Sequence, residues 1–237
     1  MQKEVYSRHI NNFSNHWWFQ ARKKIIETVI KKNIPHKKIN ILDFGSGSGV
    51  NIDMLSKFGH VNIYEPHLIT RKYLKKKFNS KKYSVVSKFN QKKFDLILLA
   101  DVLEHIKDDK KIVNKLSKSL KNKGFILITV PSYKILFSKK DIILGHYRRY
   151  TKQEIINLFK NFETVKLTFF NFFLFLPIAF IIIFLKILRI DFIDEVEKSP
   201  KKIVNLILFL IFNIESKLIN HFNLPFGISM LGLFKKK

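Results

Sequence analysis

Residues 39–49 read I-N-I-L-D-F-G-S-G-S-G. A short apolar run rich in β-formers ends at Asp43, and glycines follow at 45, 47 and 49 before a helical pattern resumes. The pattern predicts a buried strand, a tight glycine turn and a helix N-terminus. An open α/β sheet holds nucleotide-like ligands at such a place, because glycine lets the backbone approach and the turn presents free N–H groups. Spacing discriminates further. G-x-G-x-G behind an acid is not the G-x-G-x-x-G of a dinucleotide site, and the phosphate-binding G-x-x-x-x-G-K-[ST] is absent. A purely structural strand-to-helix turn would carry the same glycines.

Working outward, 50–58 reads as a crossover helix and 61–65 as a second strand ending at Glu65. An acid at that distance beyond the first strand can accept hydrogen bonds from both hydroxyls of a ribose. Residues 68–77 form a basic helical pattern and 83–87 a short third strand, followed by Lys88 and Phe89. F-D-L-I-L-L-A at 94–100 is the run of a central parallel strand buried on both faces. Asp101-Val102-Leu103-Glu104-His105-Ile106 follows at its C-terminal end, the end that faces the ligand crevice. Asp108 and Asp109 then cap a helix carrying Ile112, Leu116 and Leu120, and 124–130 is a fifth strand stopped by Pro131. Strands alternating with helices argue for a doubly wound sheet.

Asp43-x-Gly45-x-Gly47-x-Gly49 resembles the first motif of class I S-adenosylmethionine (SAM)-dependent methyltransferases. Residues 94–106 and 124–131 look like the F-D-to-V-L-E-H-I and G-to-V-P stretches of small-molecule methyltransferases related to the ubiquinone-biosynthesis type. The match runs from about Asn40 to Phe159. H-W-W-F-x-x-R at 16–22 and G-H-Y-R-R-Y at 145–150 also resemble a bacterial subgroup often met among cell-surface polysaccharide genes.

This resemblance implies S-adenosyl-L-methionine as cofactor, held by Asp43, Gly45, Gly47, Gly49, Glu65, Asp101 and Val102. No acid follows the third strand, so adenine recognition has no assigned side chain. The implied fold is α/β, a doubly wound Rossmann-like seven-stranded sheet, parallel with an antiparallel last strand. Residues 164–170 and 228–234 fit its sixth and seventh strands, with a hydrophobic helical insertion before the last. The expected organisation is an aromatic helical cap at 1–38, the SAM-binding domain at 39–170, the insertion at 171–225, and the last strand and basic tail at 226–237.

On the acceptor side, 14–32 opens with His16-Trp17-Trp18-Phe19 and continues as a helix with Ile25, Ile26, Val29 and Ile30 on one face, stopped by Asn33 and Pro35. The tryptophans either staple this helix to the sheet or form a lid, with Trp17 and Arg22 near the substrate. Residues 132–150 are long for a connection and end in Tyr147-Arg148-Arg149-Tyr150, an anion-binding and stacking surface or else a solvated basic loop. Thr151 and Glu154 form a capping box for the helix that follows. Methyl transfer to a hydroxyl benefits from a base, and His105 and His146 are the candidates. No metal ligands are assigned; Glu104 with His105 is an alternative metal pair.

Composition bounds the rest. The chain has 237 residues, no cysteine and a formal charge of +26, which suits nucleic acid or an anionic membrane surface; Lys, Ile, Asn and Phe excess also follows from AT-rich coding. The first 24 residues lack an apolar h-region, so a cytoplasmic location is expected. Residues 169–185 and 203–214 are apolar but short of the ~20 residues a span needs. Both ends of the insertion return to the sheet, so two interfacial helices are expected, with Lys186, Arg189, Lys198, Lys201 and Lys202 at headgroup level and Pro177 kinking the first.

The combined expectation is methyl transfer to a small-molecule, lipid or lipid-linked saccharide acceptor, by a protein peripheral or monotopic on the inner membrane face. An RNA methyltransferase and a non-catalytic membrane scaffold are the alternatives; no specific nucleic-acid partner is expected, and oligomeric state is open.

Overall fold

A computed structural model describes residues 16–35, 38–89, 93–190 and 200–237. The apolar run 39–44 forms β1 (Ile39–Phe44) at the heart of a seven-stranded sheet. It pairs in parallel with β2 (Gly59–Tyr64) and with β4 (Phe94–Ala100). β3 (Tyr83–Val86) and β5 (Leu120–Pro131) extend the parallel part, and the order is β3-β2-β1-β4-β5-β7-β6. β7 (Ser229–Lys236) runs antiparallel between β5 and β6 (Phe162–Phe170). The expected sheet is therefore observed, with a helical segment ahead of the last strand.

Strand alternation sends side chains to two separate cores. Ile41, Leu96, Leu98 and Leu127 pack with α1 (Trp17–Asn33), α2 (Ile52–Leu55) and α3 (Leu68–Lys77). Leu42, Ile97, Leu99 and Ile126 point the other way, onto α4 (Asp109–Ser119) and a later helix. Each such side chain fully buried stabilises the fold by about 1.5–3 kcal/mol, so both faces must be covered for the sheet to persist.

The connection after β5 is not an open loop. Its polar residues close a short helix, α5 (Lys139–Leu144), through a capping box between Ser138 and Asp141. Gly145 ends that helix in the left-handed conformation (φ +77°), which a side chain would disfavour. α6 (Lys152–Leu158) starts at the Thr151–Glu154 capping box read from the sequence, and Ile155 and Phe159 seat it on the second core.

The insertion consists of α7 (Phe175–Ile187) and α8 (Lys202–His221). Pro177 falls in the first turn of α7, where its missing N–H has no intrahelical acceptor to lose, so it starts this helix instead of kinking it. α8 lies along α1 with parallel direction: the Trp17 N–H donates to Asn205 Oδ1 at 2.9 Å, and the Lys32 ammonium reaches the Asn220 carbonyl. Phe212, Glu215, Ser216 and Ile219 form its buried face. Lys198, and with it most of the charged link from 191 to 202, lies outside the described residues.

Candidate functional site

β1 and β2 deliver the first wall of the crevice. All three turn glycines have positive φ, +75° at Gly45, +53° at Gly47 and +83° at Gly49. Their surroundings differ. A Cβ on Gly45 would lie 2.9 Å from Val102, and one on Gly49 would lie 2.6 Å from Phe78, whereas one on Gly47 would meet nothing within 4 Å. Gly45 and Gly49 are packing positions, and Gly47 alone of the three faces open space. Glu65 follows β2 directly and is buried; its Oε2 accepts the Gly47 N–H and its Oε1 the His67 N–H, both at 2.9 Å. Burial raises the Glu65 pKa against those two backbone hydrogen bonds.

Asp43 is also buried, and its Oδ2 has no hydrogen-bond partner among the described residues. Burial pushes its carboxyl up to about 7, opposed by Ser46 and Arg22. A buried carboxylate oxygen left unpaired beside a glycine that faces open space is the signature of a site built for a donor-bearing or cationic ligand.

β4 supplies the second wall. Asp101 leaves the strand with φ +55°, a left-handed conformation that costs a residue with a Cβ ~1–2 kcal/mol. It is held there on several sides. Its N–H donates to the Thr129 carbonyl at 3.0 Å, its Oδ1 accepts from the Thr129 hydroxyl at 2.6 Å, and its Oδ2 pairs with Arg22. Such over-determined strain is a mark of functional positions. Arg22 is buried and comes from α1, so the N-terminal helix closes the crevice from outside the sheet. The tryptophans beside it are staples: Trp17 meets Phe212 edge-on at 5.1 Å, and Trp18 stacks on Phe170 at 5.7 Å.

Beyond Asp101 a single 3-10 turn, Leu103–His105, brings His105 to His146, with ring centroids 4.6 Å apart. Nδ1 of His105 faces the Gly145 carbonyl at 3.3 Å, and Nδ1 of His146 faces Asp141 Oδ1 at 2.8 Å. Burial first, then the neighbouring His146, lowers the His105 pKa to about 4, so its imidazole is neutral at physiological pH. Burial would raise Asp141, but hydrogen bonds from His146 and Arg149 outweigh it and hold the carboxyl well below the usual range.

The G-H-Y-R-R-Y residues divide between inside and outside. Arg149 is buried, and its Nε and one terminal nitrogen clasp Asp141 at 2.9–3.1 Å. Tyr150 is buried with its hydroxyl donating to Asp109 Oδ2 at 2.9 Å. Arg148 reaches the same Asp109 at 3.1 Å and the Lys107 carbonyl at 2.6 Å. Tyr147 is exposed. The expected open anion-binding surface is thus largely turned inward: Arg148 and Tyr150 pin the 132–150 connection to the segment that follows β4, and Arg149 braces it internally through Asp141.

Two contributors were not singled out by sequence. Asp141 orients both His146 and Arg149; S-x-x-D at 138–141 was its only signal. Thr129 holds Asp101 from the neighbouring strand. Glu104, read from the sequence only as an alternative metal pair with His105, is buried with neither carboxylate oxygen partnered among the described residues.

A family model described as "Methyltransferase domain" matches residues 15–166. An uncharacterised protein of Methanocaldococcus jannaschii is 28% identical over 163 residues, 67% of this chain; the chain spans 62% of the length of that curated relative. Among solved structures, a SAM-dependent methyltransferase from Archaeoglobus fulgidus superposes with a TM-score of 0.55 at 15% identity, covering 90% of this chain and 94% of the other. Phosphoethanolamine N-methyltransferase 2 of Haemonchus contortus, solved with S-adenosyl-L-methionine, gives a TM-score of 0.60 at 18% identity, over 99% of this chain and 57% of that one. At these identities the likeness is one of fold.

Proposed function

The chain belongs to the methyltransferase-domain family, and from that premise we propose that it is a SAM-dependent methyltransferase acting on a small-molecule, lipid or lipid-linked saccharide acceptor at the inner face of the membrane. The observation that carries the cofactor assignment is the paired arrangement, among the described residues, of Asp43 Oδ2, buried without a partner, and Gly47, whose Cβ direction is empty. SAM fits this donor set. Its ammonium and sulfonium charges suit an orphan carboxylate, and its ribose hydroxyls suit Glu65, whose oxygens keep further lone pairs beyond the two backbone bonds they accept. When bound, the cofactor supplies an electrophilic methyl group for in-line displacement.

The chain's own residues hold and isolate the reactants. Gly45 with Val102 sets how closely β1 and β4 approach, and Asp101 with Arg22 closes the crevice over the strand ends. Positioning of two reactants can lower a barrier by up to roughly 7–11 kcal/mol, so a base is an aid rather than a requirement. Of the two histidines, His146 is the one oriented by a carboxylate, its Nδ1 facing Asp141 Oδ1 at 2.8 Å, which leaves Nε2 free to meet an acceptor; burial keeps His105 neutral. Tyr147, exposed at the same loop, is the aromatic side chain best placed to contact an acceptor.

Membrane action is supported by the outer faces of the insertion. Leu176, Phe180, Phe184 and Ile187 of α7, and Ile203, Ile207, Leu210 and Ile214 of α8, are exposed. Among the described residues, α8 alone is long and apolar enough to cross a bilayer. Its other face is committed to Trp17, Trp18 and the sheet end, which favours a helix lying in the interface with Lys186, Arg189, Lys201 and Lys202 near the headgroups.

Calorimetric titration with SAM and its demethylated product, with and without anionic liposomes, tests both parts. Binding of both ligands and flotation with the vesicles are expected. Absence of SAM binding refutes the enzyme, and protein left at the bottom of the gradient refutes the membrane surface.

A further inference from the structure

We propose that Glu104, His105 and His146 form a binding site for a divalent transition-metal cation of the zinc class. One oxygen or nitrogen donor from each residue lies within 4.8 Å of the other two. His105 and Glu104 come from the turn after β4, and His146 from the end of α5, so the convergence is created by folding.

The hydrogen bonds around the triad prepare it for a cation. The Gly145 carbonyl and the Asp141 carboxylate can only accept, so Nδ1 of each imidazole must donate, and each ring is left with its lone pair on Nε2. Asp141 is itself fixed by two nitrogens of Arg149 and by the Ser138 N–H at 2.9 Å. A carboxylate behind a ligating histidine is the usual means of orienting a metal ligand. Glu104 makes the case from the other side. It is 1% exposed, and both its carboxylate oxygens lack any hydrogen-bond partner among the described residues. A carboxyl group buried that way is costly unless a ligand satisfies it.

Two imidazole nitrogens and one carboxylate oxygen select zinc, iron(II) or their neighbours over magnesium and calcium, which prefer all-oxygen sites. Three protein ligands also leave coordination positions open, as in catalytic and not structural zinc sites. If the methyl-transfer reading holds, the open positions would suit an acceptor offering a hydroxyl or other oxygen donor, and a bound cation would supply Lewis-acid activation in place of a base at His146.

The experiment uses the full chain, untagged and freed of metal with chelator, and titrates it with zinc chloride in a calorimeter. One site per chain is expected. Glu104→Gln and His146→Gln should each weaken binding by more than tenfold, and Asp141→Asn by about tenfold, the scale of an outer-sphere partner. Cobalt(II) loading should give visible absorption bands that shift in His105→Gln, a readout independent of catalysis. Magnesium should bind far more weakly. No binding by the folded wild-type chain, or equal zinc affinity in wild type and both ligand variants, overturns the site. SAM titration of the same metal-free protein reports separately on the cofactor assignment, so failure of either reading is distinguishable.

Discussion

The Gly47 amide donates to Oε2 of Glu65 at 2.9 Å, tying the middle of the glycine turn to the end of the neighbouring strand. The same carboxylate that braces the turn is the one a ribose would meet, so the turn's shape and ligand binding depend on a single side chain.

Replacing Glu65 with alanine removes the brace and, on the proposed assignment, the ribose acceptor as well. SAM affinity should fall at least tenfold in calorimetry, on the scale of ~1.5–3 kcal/mol for a hydrogen bond to a charged group. Gly47→Ala should also weaken binding while leaving the circular dichroism spectrum unchanged. Both glycine substitutions should lower the melting temperature, since each puts a Cβ on a left-handed residue, and Gly45→Ala should lower it further because its Cβ would also sit 2.9 Å from Val102. Unaltered SAM affinity in both Glu65→Ala and Gly47→Ala would reject the site.

Asp43 carries a pH signature. Its folded carboxyl titrates near 7, whereas an unfolded one titrates near ~3.9. Between those values the unfolded chain has released a proton that the folded chain keeps, so Asp43 costs no stability below about pH 4, a growing amount as pH rises towards 7, and a constant amount above. Asp43→Asn abolishes that loss. Its apoprotein should melt several degrees above wild type at pH 8, and the two should converge near pH 4.

Glu215 is fully buried on α8 and accepts the N–H groups of Asn171, Phe172 and Phe173 at 2.7–3.1 Å. Glu215→Ala strands three donors at the junction between β6 and α7. Chemical denaturation should show a loss above ~3 kcal/mol, since each stranded group costs ~1–3 kcal/mol. Glu215→Gln, which retains one acceptor oxygen, should lose less.

The outer faces of α7 and α8 can be altered without touching the core. Phe180→Asp with Leu210→Asp changes two exposed positions, so stability should move by no more than ~0.5 kcal/mol per site. Flotation with anionic liposomes should nevertheless be lost. Retained flotation would place the membrane-binding surface elsewhere.

How far these features could be read beforehand follows from their range along the chain. Local signals were legible: the strand 94–100, the helix 68–77 and the Thr151–Glu154 cap all stand where periodicity and capping chemistry put them. Contacts across the chain were not. Arg149 carries no mark distinguishing a buried clasp on Asp141 from a solvated charge, and Asp101 carries none of its left-handed backbone. Nor can spacing reveal that His146 meets Glu104 and His105, since α5 and its glycine cap decide where it lands. The tryptophans were ambiguous for the same reason: their partner Phe212 lies nearly the whole chain away.

The pairing of α1 with α8 has a consequence for biosynthesis. Trp17 and its partner Asn205 are 188 positions apart. At ~5–20 residues per second of synthesis, the first helix waits roughly 10–40 s on the ribosome before its partner emerges. During that interval Trp17 and Trp18 lack Phe212, and Arg22 can meet Asp101 only after half that distance has been made. Until α8 is made, a nascent chain of this protein therefore exposes the apolar rings of Trp17 and Trp18, and the outer packing of the first helix is completed by one of the last segments to be translated.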